Sequence, residues 1–343
     1  MRRIVRSEAI CLRVQDYHES SKLVTFFTLE RGKVNCLAKG ARRLRSKFGA
    51  ALDLFAQSRI IYYSHETRTL LTLSDAELVH SFNFSRLPTP DSLSRFLAAE
   101  QMSEFALRVI QPLDPSPQLY RLLLNYLSTL ESLQDLEAKE SGNQGVKGSS
   151  VRPGTRILES STPRPLPEAL VCSFLLKAAS FLGFRPELRR CLICRRPIEN
   201  SRPAYFDPGR GGIICPRCAG ERRDMTESAE DSDRVPSLTR LDAASLDTLA
   251  FLLYTPASEI ASIFSVRPQP AIEANRQERQ DTKGKGEMAK YEQGRQSSGP
   301  ENLQPAICNL QSPLDLVLGF LGHHFDPLVL NSFRWHARLE RNV

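Results

Sequence analysis

From Ile4 to about Val79 the apolar positions come in short runs rich in β-branched and aromatic residues, broken by turn-forming clusters, and this is the grammar of strands. IVRSEAICLRV, KLVTFFTLE and KVNCLAK are followed, beyond a basic stretch, by LFAQSRIIYYS and RTLLTLSDAELV, with turns at Arg31-Gly32 and at HETR. Five strands with no helix-length apolar repeat among them predict a small antiparallel barrel of the oligonucleotide-binding (OB) type, an SH3-like barrel being the other closed solution. In the second run Leu23, Thr25, Phe27 and Leu29 share one face and Val24, Phe26 and Thr28 the other. Large apolar groups on both faces mean cover on both sides, so a helical cap is expected over the barrel.

The period changes at Pro90. In PDSLSRFLAAEQMSEFALRVI, Leu93, Phe96, Leu97, Phe105 and Val109 recur at helical spacing behind Asp91 as a cap. A second helix follows in PQLYRLLLNYLSTLESL. A third opens at Pro167, with Leu170, Phe174, Ala178 and Phe181 along one side and Gly183 to end it. SPLDLVLGFLGHHF predicts a last helix with a stripe of Leu314, Val317, Leu318 and Leu321. Two tracts rich in Ser, Gly, Gln, Lys, Glu and Arg lack the apolar surface to offset chain entropy, and are expected to be disordered. The reading is thus α+β: a five-stranded antiparallel OB-fold barrel over 1–80, then an α-helical domain over 81–136, 166–188 and 221–265. A four-cysteine zinc-finger element occupies 189–220, insertions fill 137–165 and 266–305, and a C-terminal helical segment covers 306–343. No internal repeat is present.

At 343 residues with 41% apolar, the chain can bury a core in two or three domains. A net charge of +7 favours an anionic partner without choosing among nucleic acid, membrane surface and acidic protein. The opening MRRIVRSEAICLRV is broken by Arg6, Glu8 and Arg13 before an insertion region could form, and no apolar run reaches membrane-span length. A soluble, intracellular protein is expected.

The cysteines sharpen this. CLICRRPIENSRPAYFDPGRGGIICPRC sets Cys191, Cys194, Cys215 and Cys218 as two CxxC pairs twenty residues apart, with Asp207, Pro208 and Gly209 at a hairpin bend between them. That spacing lets four thiolates converge on one tetrahedral Zn²⁺ in a closed, structural set. Arg189, Arg190, Arg195, Arg196 and Arg217 lie nearby to offset the negative charge of such a centre. Cys11, Cys36, Cys172 and Cys308 read as packing residues.

Between Glu30 and Asp53 there are seven Lys or Arg residues and no acid. A solvated face normally mixes signs, so a one-signed loop between barrel strands points to phosphate binding. Lys39, Arg42, Arg43, Arg45 and Lys47 form its centre, and Gly40 and Gly49 flank it. Tyr62, Tyr63, Phe48 and Phe55 either stack on bases or fill the core. No nucleotide, metallohydrolase or nucleophile-elbow motif is found. Asp75 and Glu77 read as the wet face of a strand, and His323 and His324 as a helix terminus.

YHESSKLVTFFTLERGKVNCLAKGARRLRSKFGAALDLF, followed by RTLLTLSDAELV, resembles the N-terminal barrel of the bacterial recombination mediator family RecO, and the likeness continues through the CxxC pairs to LDLVLGFLGHHF. The resemblance implies a non-enzymatic, cytoplasmic and nucleoid-associated repair protein of the RecF pathway. Such a protein binds single- and double-stranded DNA, anneals complementary strands, works with RecR, contacts the single-stranded DNA-binding protein through that protein's C-terminal tail, and helps load RecA. It implies no membrane and no small-molecule substrate, and it places DNA binding on Lys39, Arg42, Arg43, Arg45 and Lys47. An RNA-binding or transcription-associated OB-fold and zinc-ribbon protein is the other reading of the same features.

Overall fold

Alternation in the N-terminal region becomes five strands, β1 (Arg3–Tyr17), β2 (Ser21–Thr28), β3 (Gly32–Ala38), β4 (Gln57–Ser64) and β5 (Leu70–His80). They close into a barrel in the order β1-β2-β3-β5-β4. β1 is long enough to serve two neighbours: Arg3 to Ile10 pairs with β4 and Ala9 to Tyr17 with β2, and a bulge between Cys11 and Arg13 bends it between them. This is OB topology with one correction to the sequence reading. The sheet is mixed rather than antiparallel, because β3 and β5 run parallel through Asn35↔Leu70, Cys36↔Leu71 and Leu37↔Thr72. The two strands are joined through β4 and its loops, and a crossover of that length permits the parallel pairing that a hairpin forbids.

The computed structural model describes residues 3–65, 68–84, 90–142, 166–198, 203–220, 238–265 and 313–325. The second insertion, most of the first, and Cys308 lie outside the described residues. The longer helices among the described residues are α1 (Pro90–Val109), α2 (Pro117–Gly142), α3 (Leu166–Phe181), α4 (Ala243–Tyr254), α5 (Ala257–Ser265) and α6 (Pro313–His324). α2 continues past the boundary that composition set at residue 136, so 137–142 is helix rather than insertion. Glu137, Ala138, Lys139 and Glu140 are good helix formers that also resemble a disordered tract by composition.

α3 is apolar almost all round, and a helix of that kind belongs inside. It packs against α1, α2, α4, α5 and α6 as the central helix. Leu170, Phe174 and Ala178 are buried as expected, but Phe181 is 53% exposed beyond the others. Gly183, at φ +93°, ends the helix, and Phe184 N–H donates back to the Ala179 carbonyl. In α1 the inward stripe is Ala98, Met102, Phe105 and Ala106, while Leu93 is 52% exposed. Small side chains let this helix approach its neighbours closely, which a search for large apolar residues overlooks. The stripe of α6 is Leu314, Val317, Phe320 and Leu321, with Leu318 only partly buried.

Barrel and helices share one core. Val24 and Phe26 of β2 point into the barrel, while Phe27, with Ile10, Leu12 and Phe55, faces the helices, as its alternation required. The β2–β3 turn is fitted against the α1–α2 connection: Gly32 has φ +60°, and a Cβ there would lie 2.0 Å from the Asp114 carbonyl oxygen. Gly32→Ala combines left-handed strain with a backbone clash, and should cost about 3 kcal/mol, read as a lowered urea midpoint. Burial pushes the Cys36 thiol up to about 12 from its ordinary 9.0. The folded state therefore holds a proton that the unfolded chain releases, and this contribution is lost as pH rises from about 9 towards 12. Cys36→Val should make the denaturation midpoint fall less steeply over that window than in the wild type.

A second sheet, β7-β6-β8, is built from β6 (Ala204–Asp207), β7 (Gly212–Ile214) and β8 (Thr239–Leu241). Ala204, Phe206, Ile213 and Leu241 join it to the main core, and Phe206 meets Phe320 of α6 edge-on. Among the described residues no helix is long and apolar enough to cross a membrane.

Candidate nucleic-acid interface and metal centre

The basic segment leaves β3 at Ala38 and returns as a short helical turn, Gly49–Leu52, whose neighbours Phe48, Ala51 and Leu52 are buried in the barrel core. Those anchors fix both ends, and residues 39–47 project. Gly40, at φ +75°, makes the first turn. Two of the five predicted cations hold the projection in place. Arg42 Nη1 donates to the His18 carbonyl at 2.9 Å, its backbone N–H donates to Ser20 O at 3.0 Å, and its Nε lies 3.5 Å from Asp16. His18 takes φ +52°, so the β1–β2 turn offers its carbonyls to the loop. Lys47 Nζ donates to the Ser74 carbonyl and lies over the Phe48 ring at 5.3 Å.

Lys39, Arg43 and Arg45 are exposed, with no ion pair or hydrogen bond from their side chains among the described residues. Leu44 between the two arginines is wholly exposed. Three charges held out by a clamped loop form a preorganised cationic edge, and phosphate can neutralise it without first breaking protein contacts. Of the aromatics considered for stacking, Tyr62, Phe48 and Phe55 are buried in the core and Tyr63 is 38% exposed. Arg68, which the sequence places where the HETR turn meets the last strand run, lines one small pocket together with Lys39 and Tyr63.

The four cysteines converge as their spacing predicted. Their sulfurs all lie within 4.8 Å of one another, and Cys194 Sγ is 3.8 Å from Cys215 Sγ. Four sulfurs about 2.3 Å from a central ion would stand roughly 3.8 Å apart, so the set fits a tetrahedral metal. The first pair turns through Arg195, at φ +59°, whose N–H donates to the Cys191 carbonyl at 2.9 Å. That left-handed non-glycine residue was not foreseen. The bend between the pairs falls where Asp207, Pro208 and Gly209 were read: Asp207 accepts from the N–H groups of Gly211 and Arg210. Burial raises the Cys191 thiol, but the N–H groups of Cys215, Cys194 and Ile193 outweigh it and bring it down to about 6. Burial and then the neighbouring thiols of Cys215 and Cys194 push Cys218 up to about 12. One thiolate is readily formed and the last is resisted, so a cation at the centre is what would let all four ionise.

The remaining sequence candidates fall into place around these. Cys11, Cys36 and Cys172 are buried, with thiols held high by burial, as packing residues should be. Glu77 lies 3.8 Å from Arg59. His324 Nε2 is 3.1 Å from the Pro208 carbonyl oxygen and its ring packs on Phe184 and Phe320, fastening α6 to the hairpin bend.

The family model described as Recombination protein O N terminal matches residues 1–82, the barrel. The one described as Recombination protein O C terminal matches residues 157–264, which contain α3, the cysteine quartet and α4. The DNA repair protein RecO of Symbiobacterium thermophilum is 32% identical over 215 residues, covering 62% of this chain and 71% of that protein. The protein of the same name from Anaeromyxobacter sp. (strain K) is 30% identical over 215 residues, 63% of this chain and 70% of its own. That of Cutibacterium acnes is 31% identical over 215 residues, 62% and 73%. Two family models across barrel and helices, and relatives matched over most of their own length, agree with the fold: this chain belongs to the RecO family of DNA repair proteins.

Proposed function

We propose that the chain binds single- and double-stranded DNA through the loop bearing Lys39, Arg42, Arg43, Arg45 and Lys47 and anneals complementary strands without making or breaking covalent bonds. The observation that carries this reading is the division of labour in the loop: Arg42 and Lys47 secure it to the barrel, and Lys39, Arg43 and Arg45 stand free at its edge. Two polyanions repel each other as they meet. A cationic edge that neutralises phosphates on both lowers that repulsion and raises the encounter rate. Acting with RecR, and touching the tail of the single-stranded DNA-binding protein, the chain would help RecA onto coated DNA in the cytoplasm and nucleoid.

Cys191, Cys194, Cys215 and Cys218 would hold one structural Zn²⁺, which supplies cross-linking of the 189–220 element rather than catalysis. The working units would be the barrel of 1–80 and a helical domain interrupted by that element and the two insertions. The test is annealing of complementary strands coated with the single-stranded DNA-binding protein. Acceleration by the full chain over the spontaneous rate supports the reading, and no acceleration overturns it. Preference for structured RNA over single-stranded DNA in direct competition would favour the RNA-binding alternative.

A further inference from the structure

At the root of the cationic loop, Lys39, Tyr63, His65, Arg68, Leu70 and Thr72 line a pocket of about 150 Å³. It sits where three strands meet, since Thr72 pairs with Tyr63 of β4 and with Leu37 of β3. Among the described residues no carboxylate lines it. Tyr62 is fully buried, but Tyr63, one step along the pleat, is 38% exposed and Leu70 is 41% exposed. The pocket thus combines an available aromatic ring, an aliphatic wall and two exposed cations, Lys39 and Arg68. A cavity of this size class admits one six-membered ring. Another cleft, between the barrel and α1, mixes signs: Glu100, Glu104 and Arg108 line it from the helix and Arg13 and Lys33 from the barrel, with Lys33 engaged with the Leu107 carbonyl at 3.0 Å. A polyanion leaving the loop meets two carboxylates there and none among the described residues that line the pocket.

We infer that this pocket receives one unstacked base of single-stranded DNA, its ring against Tyr63 and Leu70 and its neighbouring phosphate on Lys39 and Arg68. The inference rests on the loop binding DNA and adds a basis for choosing between strand states. In duplex the bases are paired and stacked, so only the loop's phosphate contacts would be available, whereas a single strand gains a stacking contact that is indifferent to sequence. Annealing would then carry its own release step, because pairing withdraws the base from the pocket.

The experiment measures affinity of the full chain for oligo(dT) and for a blunt duplex across a salt series, in wild type, Tyr63→Thr and Tyr63→Phe. Tyr63 is exposed on its strand and Thr suits that conformation, so folding should be kept; thermal melts check it. Tyr63→Thr is expected to weaken oligo(dT) binding about 5- to 100-fold, with an unchanged log-log salt slope and unchanged duplex affinity, and Tyr63→Phe should behave as wild type. Wild-type oligo(dT) affinity in folded Tyr63→Thr, or an equal loss on duplex, would overturn the pocket while leaving the loop intact. A wild type that ignores both polymers would overturn the loop reading and this one with it.

Discussion

Cys215→Ser should empty the metal centre and loosen the C-terminal half of the protein. Elemental analysis of the wild type purified without chelator is expected to give about one zinc per chain, and of the variant close to none. Serine keeps the size of the side chain but cannot supply the soft thiolate that completes the set. The structural cost extends beyond the element itself. Cys191 and Cys218 are buried, and Ala204, Phe206 and Ile213 on the hairpin between the two pairs belong to the main core beside α3 and α6. Without the cross-link, the hairpin must hold those contacts with two short strands, and a loss of several kcal/mol is expected. Protease cutting within 189–220 should appear first, with the barrel surviving as a fragment. Metal-free wild type with an unaltered melting temperature would refute this.

The second large effect is on affinity. Replacing Lys39, Arg43 and Arg45 together by Gln removes the loop's own cations that have no side-chain partner among the described residues and leaves Arg42 and Lys47 to hold the loop. If each free cation releases counterions from a single strand at about 0.7 in the log-log slope, three of them are worth roughly a hundredfold at 0.1 M salt. Annealing should slow with binding, since the same charges bring the second strand in. Arg42→Ala is a different experiment: it frees the His18 carbonyl and Asp16, so any loss combines charge with loop position. A weaker Arg42 effect than that of Arg43 and Arg45 would show that the clamped cation contributes less to the grip than the free ones.

The parts of this protein that were legible beforehand are those in which spacing is itself the chemistry. Two CxxC pairs with a Pro-Gly bend between them can do little else but converge, and they do. The alternation of β2 assigned Phe26 and Phe27 to opposite cores correctly. Strand direction was not legible, because alternation says which face a residue occupies and nothing about its partner; the parallel β3–β5 seam is short and joins segments distant in sequence. In α1 size was only a partial guide: Phe105 is buried as its spacing required, but Leu93 faces solvent and Ala98, Ala99 and Ala106 make contacts that a search for large residues overlooks.

The same limit applied to the site. Five cations in one loop were plain from sequence, but the separation into two clamps and three free charges depends on the His18 and Ser74 carbonyls, contributed by the β1–β2 turn and by β5. Tyr62 and Tyr63 were indistinguishable by composition. The pleat separates them, and the register of β4 against β1 and β5 decides which one meets solvent.

The central claim is that a clamped cationic loop on the barrel grips phosphates, and it is tested most directly by the salt dependence of single-strand binding. The slope of log affinity against log salt, measured for the wild type and for the Lys39, Arg43 and Arg45 triple Gln variant, should become shallower by about 2 in the variant. Two lines of equal slope would place the DNA elsewhere on the molecule.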